Sequence, residues 1–244
     1  MGNKTLALIL AAGKGTRLNS KYPKPLVPVL GVPMLHRIIN TFESLSDIDI
    51  GVVIGNRSDE ILKTLNSKIQ YVYQRKQLGT AHAVKESKDL IDKYEKVFIM
   101  PADSVLINKS HIDDLINSHF KSNASCSFFS ADFPFDLPYA KIIRHNGKLI
   151  DCVEDIDANE KQKQIREFFT SHYLINTSAI KKYIDRIKIK SISGEYFLTD
   201  IISIMIKNKE KVNVVKIENY KFLMGINTLQ ELEMVEKWIL SGEV

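Results

Sequence analysis

The chain has 244 residues, 44% hydrophobic and 26% charged, with 11 Gly, 7 Pro and 2 Cys. This is a globular composition, which excludes collagen-like, disordered and disulfide-stapled classes. A net charge of +5 comes from 34 basic and 29 acidic residues that are interleaved. With no zinc-finger, RRM or basic-helix pattern, it points to a small anionic ligand and away from nucleic acid.

The N-terminus, Met1 to Thr5, leads into only about six apolar residues before a glycine turn, too few for a secretory signal. No run approaches the roughly 18–20 apolar residues of a membrane span. The expectation is a cytoplasmic protein without a membrane partner, with Gly2 needed in the fold and not acylated. Thr5–Leu10 is a continuous apolar run and reads as a strand buried on both faces. A helix follows from about Pro33, placed at its first turn. Ile48–Ile54 reads as a strand, Ser58 and Glu60 open a short helix, Ile69–Tyr73 is a third strand, Thr80–Ile91 a helix and Lys96–Met100 a fourth strand. This alternation predicts βαβ units on a largely parallel sheet with helices on both faces.

The second half changes character. Tyr139–Arg144 and Leu149–Val153 flank Asn146-Gly147, a strong hairpin signal. Glu154–Glu167 is polar and reads as a loop or exposed helix, Tyr196–Ile206 as an apolar-periodic helix, Val212–Ile217 as a strand and Leu229–Leu240 as a closing helix. Cys126 and Cys152 lack metal-ligand spacing and read as small core thiols. No repeat or linker divides the chain. The expectation is one α/β domain: a nucleotide-binding part over about 1–125, a β-rich substrate-side lobe over about 126–228 and a final helix over about 229–240.

The most informative stretch is Leu10-Ala11-Ala12-Gly13-Lys14-Gly15-Thr16-Arg17, followed by Pro23-Lys24-Pro25. A glycine-rich turn at the carboxyl end of a buried strand can aim backbone N–H groups at phosphate oxygens, and Lys14, Arg17 and Lys24 add positive charge. The third glycine of a dinucleotide fingerprint is absent, as is the P-loop pattern. For Lys14, an exposed loop cation is as good a reading as a phosphate ligand.

These motifs, with Gln77-Leu78-Gly79-Thr80-Ala81-His82-Ala83 and Gly194-Glu195-Tyr196-Phe197-Leu198-Thr199-Asp200, resemble those of the sugar-1-phosphate nucleotidyltransferases. The match is most similar to the uridylyltransferase domain of bacterial bifunctional N-acetylglucosamine-1-phosphate uridylyltransferases, and it runs from Leu6 to the helix after Asn227. The resemblance implies a Rossmann-like nucleotidyltransferase fold. The length leaves no room for a hexapeptide-repeat acetyltransferase half, so a monofunctional chain is expected.

The resemblance implies attack by a sugar 1-phosphate on the α-phosphorus of UTP, giving a UDP-sugar and pyrophosphate, with N-acetylglucosamine 1-phosphate the default acceptor. Two polyanions must meet, so the chemistry demands charge neutralisation and alignment. Arg17 is implied at the β and γ oxygens and Lys24 at the α-phosphate. Leu10, Ala11, Ala12, Gly13, Gly15, Gln74, Gly79 and Thr80 are implied as nucleotide contacts, with Gln77 less clearly so.

Mg²⁺ is the implied cofactor, held by Asp103 and Asn227, since hard oxygens suit it. Asp103 could instead cap its turn, and either Asn227 or Thr228 could cap the last helix. His82 reads as a packing histidine, not an acid or base.

On the acceptor side the implied contacts are Ala140, Glu154, Phe169 and Thr199. Ala140 replaces a glycine and Phe169 an asparagine of the family pattern, and Pro101-Ala102 replaces the usual glycine before the metal aspartate. Two alternatives stand beside the leading reading. One is the same fold acting on CTP or another NTP with a different phosphorylated acceptor, and the other is a non-catalytic nucleotide-sugar-binding subunit. The sequence carries no signal for an oligomeric state.

Overall fold

The structure is a computed structural model that describes residues 4–190 and 193–244. Gly2 lies outside the described residues. In chain order the elements are β1 (Thr5–Leu10), the hairpin β2 (Pro28–Val29) and β3 (Val32–Pro33), α1 (Met34–Glu43), β4 (Ile48–Ile54), α2 (Ser58–Leu62) and β5 (Gln70–Tyr73). Then come α3 (Thr80–Glu86), α4 (Lys88–Ile91), β6 (Lys96–Pro101), α5 (Lys109–Ser122) and β7 (Cys126–Asp132). The second half adds β8 (Ala140–His145), β9 (Lys148–Val153), α6 (Glu160–Lys163), β10 (Glu167–Asn176), α7 (Thr177–Tyr183), α8 (Asp200–Lys207), β11 (Val212–Lys216) and α9 (Leu229–Leu240).

Among the described residues the main sheet runs β11-β7-β10-β6-β1-β4-β5, with β8 pairing β10 and β9 pairing β8. β1 pairs in parallel with both β4 and β6, which explains its unbroken apolar run. Ala7 and Ile9 face one core layer with Leu35, Ile38 and Phe42 of α1, Leu115 of α5 and Val235 of α9. Leu6 and Leu8 face a second layer with Ala81 and Val84 of α3, Ile180 of α7 and Ile201 of α8. The sheet is therefore mixed, mostly parallel and covered on both faces, as expected.

The β8–β9 hairpin turns at Asn146 and Gly147, both with positive φ (48° and 75°). These are the torsions that an Asn-Gly turn permits at least cost.

Several boundaries differ from the sequence expectation. Pro33 ends β3 and precedes the first helical residue, Met34. The expected helix over Thr80–Ile91 is two helices, broken at buried Ser87, whose Oγ donates to the Ala83 carbonyl at 2.8 Å. The polar stretch ends earlier than expected, because Glu167 already opens β10.

The helix expected from Tyr196 starts only at Asp200. Tyr196 lies outside any helix or strand: its N–H donates to the Leu78 carbonyl at 2.8 Å, and its own carbonyl accepts from the Ala81 N–H at 2.9 Å. A tertiary pairing has taken the backbone groups that a helix would need.

β10 has the largest consequence for the site. It runs antiparallel between β6 and β7 and also pairs β8. Its register shifts between Phe169 and Tyr173, where Ser171 has φ +62°. That bulge turns Thr170 and Ser171 toward the carboxyl ends of β1 and β6, where ligands of open α/β sheets gather.

Candidate active site

Two adjoining cavities open at the carboxyl ends of β1 and β6. The larger, about 380 Å³, is lined by Leu10–Gly13, Arg17, Lys24, Gln74, Gln77, Gly79, Thr80, Pro101–Asp103, Glu195 and Phe197. The smaller, about 170 Å³, is lined by Asp103, Tyr139, Ala140, Glu154, Phe169, Thr170, Ser171, Leu223, Gly225 and Asn227, among others. Asp103 lies on the wall of both.

The first loop is held from behind. Ala11 donates to the Val53 carbonyl at 2.8 Å, and the Leu10 carbonyl accepts from Ala102 at 3.0 Å. A Cβ on Gly13 would meet nothing within 4 Å, so its backbone faces open space. Gly15 has φ +62°, and a Cβ there would stand 2.4 Å from the Lys24 Cβ. Glycine at this position is what lets Lys24 reach the cleft. Gly15 and Lys14 do not line either cavity.

At the junction of the cavities, Lys24 Nζ contacts Asp103 Oδ2 and donates to Asn227 Oδ1 at 2.8 Å. Arg17 Nη2 donates to the same Asn227 oxygen at 3.3 Å. Asp103 is anchored by its own carbonyl, which accepts from Ile226 at 3.1 Å. The capping question is resolved by geometry. Thr228 is the N-cap of α9, its Oγ1 accepting from the Glu231 N–H at 3.2 Å, while Glu231 Oε2 accepts the N–H groups of Asn227 and Thr228. The Asn227 side chain is thereby left to the cleft.

A further wall of the larger cavity joins two motifs. The Thr80 hydroxyl accepts from the Leu198 N–H at 2.9 Å, beside the Tyr196 bonds to Leu78 and Ala81. A Cβ on Gly79 (φ +98°) would stand 2.5 Å from the Tyr196 carbonyl oxygen. The Gly194–Asp200 motif thus backs the Gln77–Ala83 motif, and it brings Glu195 and Phe197 into the larger cavity. Glu195 and Phe197 are absent from the residues expected in the site, although their place within the second motif signals them. Gln77 Nε2 donates to the Gln74 carbonyl at 2.9 Å and so braces the loop. The His82 ring meets Gln74, with Nδ1 3.1 Å from its Nε2, and so does more than pack α3.

In the smaller cavity, burial pushes the Glu154 carboxyl above its ordinary pKa, while a hydrogen bond from the Thr199 hydroxyl pulls it back down. Thr199 is 2% exposed and lies 3.4 Å from the Tyr173 hydroxyl. It lines neither cavity, a correction to its expected place as a direct contact: it stands behind Glu154. Phe169 is also mostly core, its ring edge-on to Phe128 and Tyr173 at centroid separations of 4.9 and 4.7 Å. Only a small part of it reaches the cavity wall. Tyr139 accepts from the Gly225 N–H at 3.2 Å, and burial together with the Asp103 charge raises its phenol pKa.

A family model for the MobA-like NTP transferase domain matches residues 7–175. The chain belongs to this NTP transferase family. Among curated relatives, the bifunctional protein GlmU of Thermoanaerobacter pseudethanolicus is 34% identical over 233 residues, which is 95% of this chain and 51% of that protein. GlmU of Pseudothermotoga lettingae is 35% identical over 238 residues, 96% of this chain and 52% of that protein. This NTP transferase chain thus spans about half the length of the curated relatives it matches. A UDP-glucose pyrophosphorylase solved with UDP-glucose superposes with a TM-score of 0.78 at 15% identity, covering 98% of this chain and 99% of that one. A similarity of that kind establishes the fold alone.

Proposed function

We propose that the chain transfers a uridylyl group from UTP to a sugar 1-phosphate, N-acetylglucosamine 1-phosphate being the default acceptor, with release of pyrophosphate. The observation that carries the reading is Asp103 on the wall common to both cavities, with Lys24 and Arg17 beside it. The larger cavity would take the nucleotide and the smaller one the acceptor, so that the two anions meet at the cationic junction. An acceptor phosphate oxygen forms the new bond to the α-phosphorus as the bond to pyrophosphate breaks. Lys24 is a compact charge suited to the α-phosphate, and the Arg17 fork suits the β and γ oxygens.

Asp103 and Asn227 offer one carboxylate and one amide oxygen, a hard and incomplete set. That set fits a Mg²⁺ ion, which keeps several waters and fills its shell with phosphate oxygens. When bound there, the ion would neutralise phosphate charge and hold the reacting groups in line. The rest falls to the chain itself: Gln74 and the Ala12–Gly13 backbone face the base, Gly79 and Thr80 close over it, and Glu154 holds acceptor hydroxyls. A cytoplasmic enzyme acting on small molecules, with both halves of the chain forming one catalytic unit, is the corresponding setting.

A second reading changes only the acceptor. Phe169 supplies no hydrogen bond where the family pattern has an asparagine, and loss of one polar partner can alter selectivity by orders of magnitude. Pyrophosphate release across a panel of NTPs and sugar 1-phosphates tests both. Release with UTP and N-acetylglucosamine 1-phosphate supports the first reading, and release with another acceptor supports the second. No release with any pair overturns both.

A further inference from the structure

The loop carrying Gln74 leaves its side-chain amide only one orientation. Gln74 is 4% exposed, sits on the wall of the larger cavity, and donates from Nε2 to the Gly79 carbonyl at 2.9 Å. A carbonyl can only accept, so the flipped amide would press oxygen against oxygen. The other proton of the same NH₂ group faces His82 Nδ1 at 3.1 Å. That nitrogen must therefore be the unprotonated one, which places the ring proton on Nε2. Glu86, one turn along α3, lies 3.7 Å from Nε2 and favours the same tautomer. Gln74 Oε1 has no protein partner among the described residues. It is also not sealed from solvent, since the only sealed, unpartnered side-chain polar atoms described are on His172 and Thr177.

A lone acceptor at this position discriminates between pyrimidines. Uracil presents an N3–H donor between two carbonyls, whereas cytosine presents an N3 lone pair beside an amine. The N–H groups of Ala12 and Gly13, which line the same cavity, make no backbone hydrogen bond among the described residues and can meet a base carbonyl. Oε1 then fits N3–H and is repelled by the cytosine lone pair.

We propose that His82 is the positioning residue that sets base preference: by accepting the second amide proton of Gln74 it holds Oε1 toward the base and favours uracil over cytosine. This rests on the reading that the nucleotide occupies the larger cavity. The His82 side chain is 19% exposed and lies behind Gln74, lining neither cavity itself.

Calorimetric affinities for UTP and CTP, measured on the wild type, His82→Ala, His82→Asn and Gln74→Ala, test it. The UTP-to-CTP affinity ratio should fall about tenfold in His82→Ala, the scale of one orienting hydrogen bond. Asn, whose Oδ1 can stand where Nδ1 stood, should restore the ratio to within about threefold. A folded His82→Ala protein with the wild-type ratio overturns the proposal. If Gln74→Ala leaves UTP affinity unchanged, the nucleotide reading itself fails. If it weakens UTP binding while His82→Ala keeps the ratio, only the role of His82 fails. The ¹⁵N spectrum of the wild-type imidazole decides without any variant: an unprotonated Nδ1 supports the proposal, and a protonated one overturns it.

Discussion

Lys24 and Asp103 are in direct contact, and the same ammonium donates to Asn227 Oδ1 at 2.8 Å. The lysine therefore stands between the two oxygens proposed to hold a divalent ion and neutralises the Asp103 carboxylate. Ion and ammonium compete for the same electrons. In the nucleotide-free protein, Lys24→Ala should bind Mn²⁺ more tightly than the wild type, read by electron paramagnetic resonance, while Asp103→Ala should lose that binding. Each substitution should still lower turnover at least about 10²-fold, the scale of one preorganised charge partner. Weaker Mn²⁺ binding by Lys24→Ala would count against the competition.

Gly79→Ala tests the clamp between the two motifs. The added methyl would collide with the Tyr196 backbone, and the positive φ is costly for any residue with a Cβ. The variant should lose at least about tenfold in UTP affinity while keeping a cooperative thermal transition, since the strain, about 1–3 kcal/mol, is local. Wild-type affinity would show that the loop tolerates displacement.

Phe169→Asn separates core from cavity. Replacing a ring packed on Phe128 and Tyr173 should cost about 3–5 kcal/mol and lower Tm by roughly 10 °C for a chain of this size. In the folded fraction, activity with N-acetylated sugar phosphates should rise relative to plain hexose phosphates. An unchanged ratio would assign Phe169 to packing alone.

Acid should destabilise the fold in two successive stages. Burial lowers the His172 pKa from 6.5 to about 4, so the unfolded chain binds the extra proton between those values and stability falls as pH drops through that window. Glu210 is held at about 2, from an ordinary 4.5, by hydrogen bonds from Lys182, Tyr183 and Ser125. Its contribution is present above 4.5 and is lost as pH falls toward 2. Denaturant unfolding at a series of pH values should show Glu210→Gln flattening only the lower stage. His172→Leu should flatten only the upper one, each by at most about 1.4 kcal/mol per pH unit.

What could be read along the chain was local. β1 announces itself because a strand buried on both faces must be apolar throughout, and the Asn146-Gly147 turn because few residues accept its torsions. Lys24, Gln74, Asp103 and Asn227, which line the clefts, were legible through the resemblance of their motifs to the nucleotidyltransferase pattern.

Tertiary structure decided the rest. Nothing local tells Glu167–Asn176 to insert antiparallel between β6 and β7, and only that placement turns Thr170 and Ser171 into the smaller cavity while sinking most of Phe169 into the core. Tyr196 is not helical for the same kind of reason, its partners being Leu78 and Ala81. Thr228 caps α9 and frees the Asn227 side chain, and Gly79 and His82 choose which end of the Gln74 amide faces the cleft. A side chain's chemistry is written in its residue type, but which of its atoms remains unsatisfied depends on neighbours that only the folded chain brings within hydrogen-bonding distance.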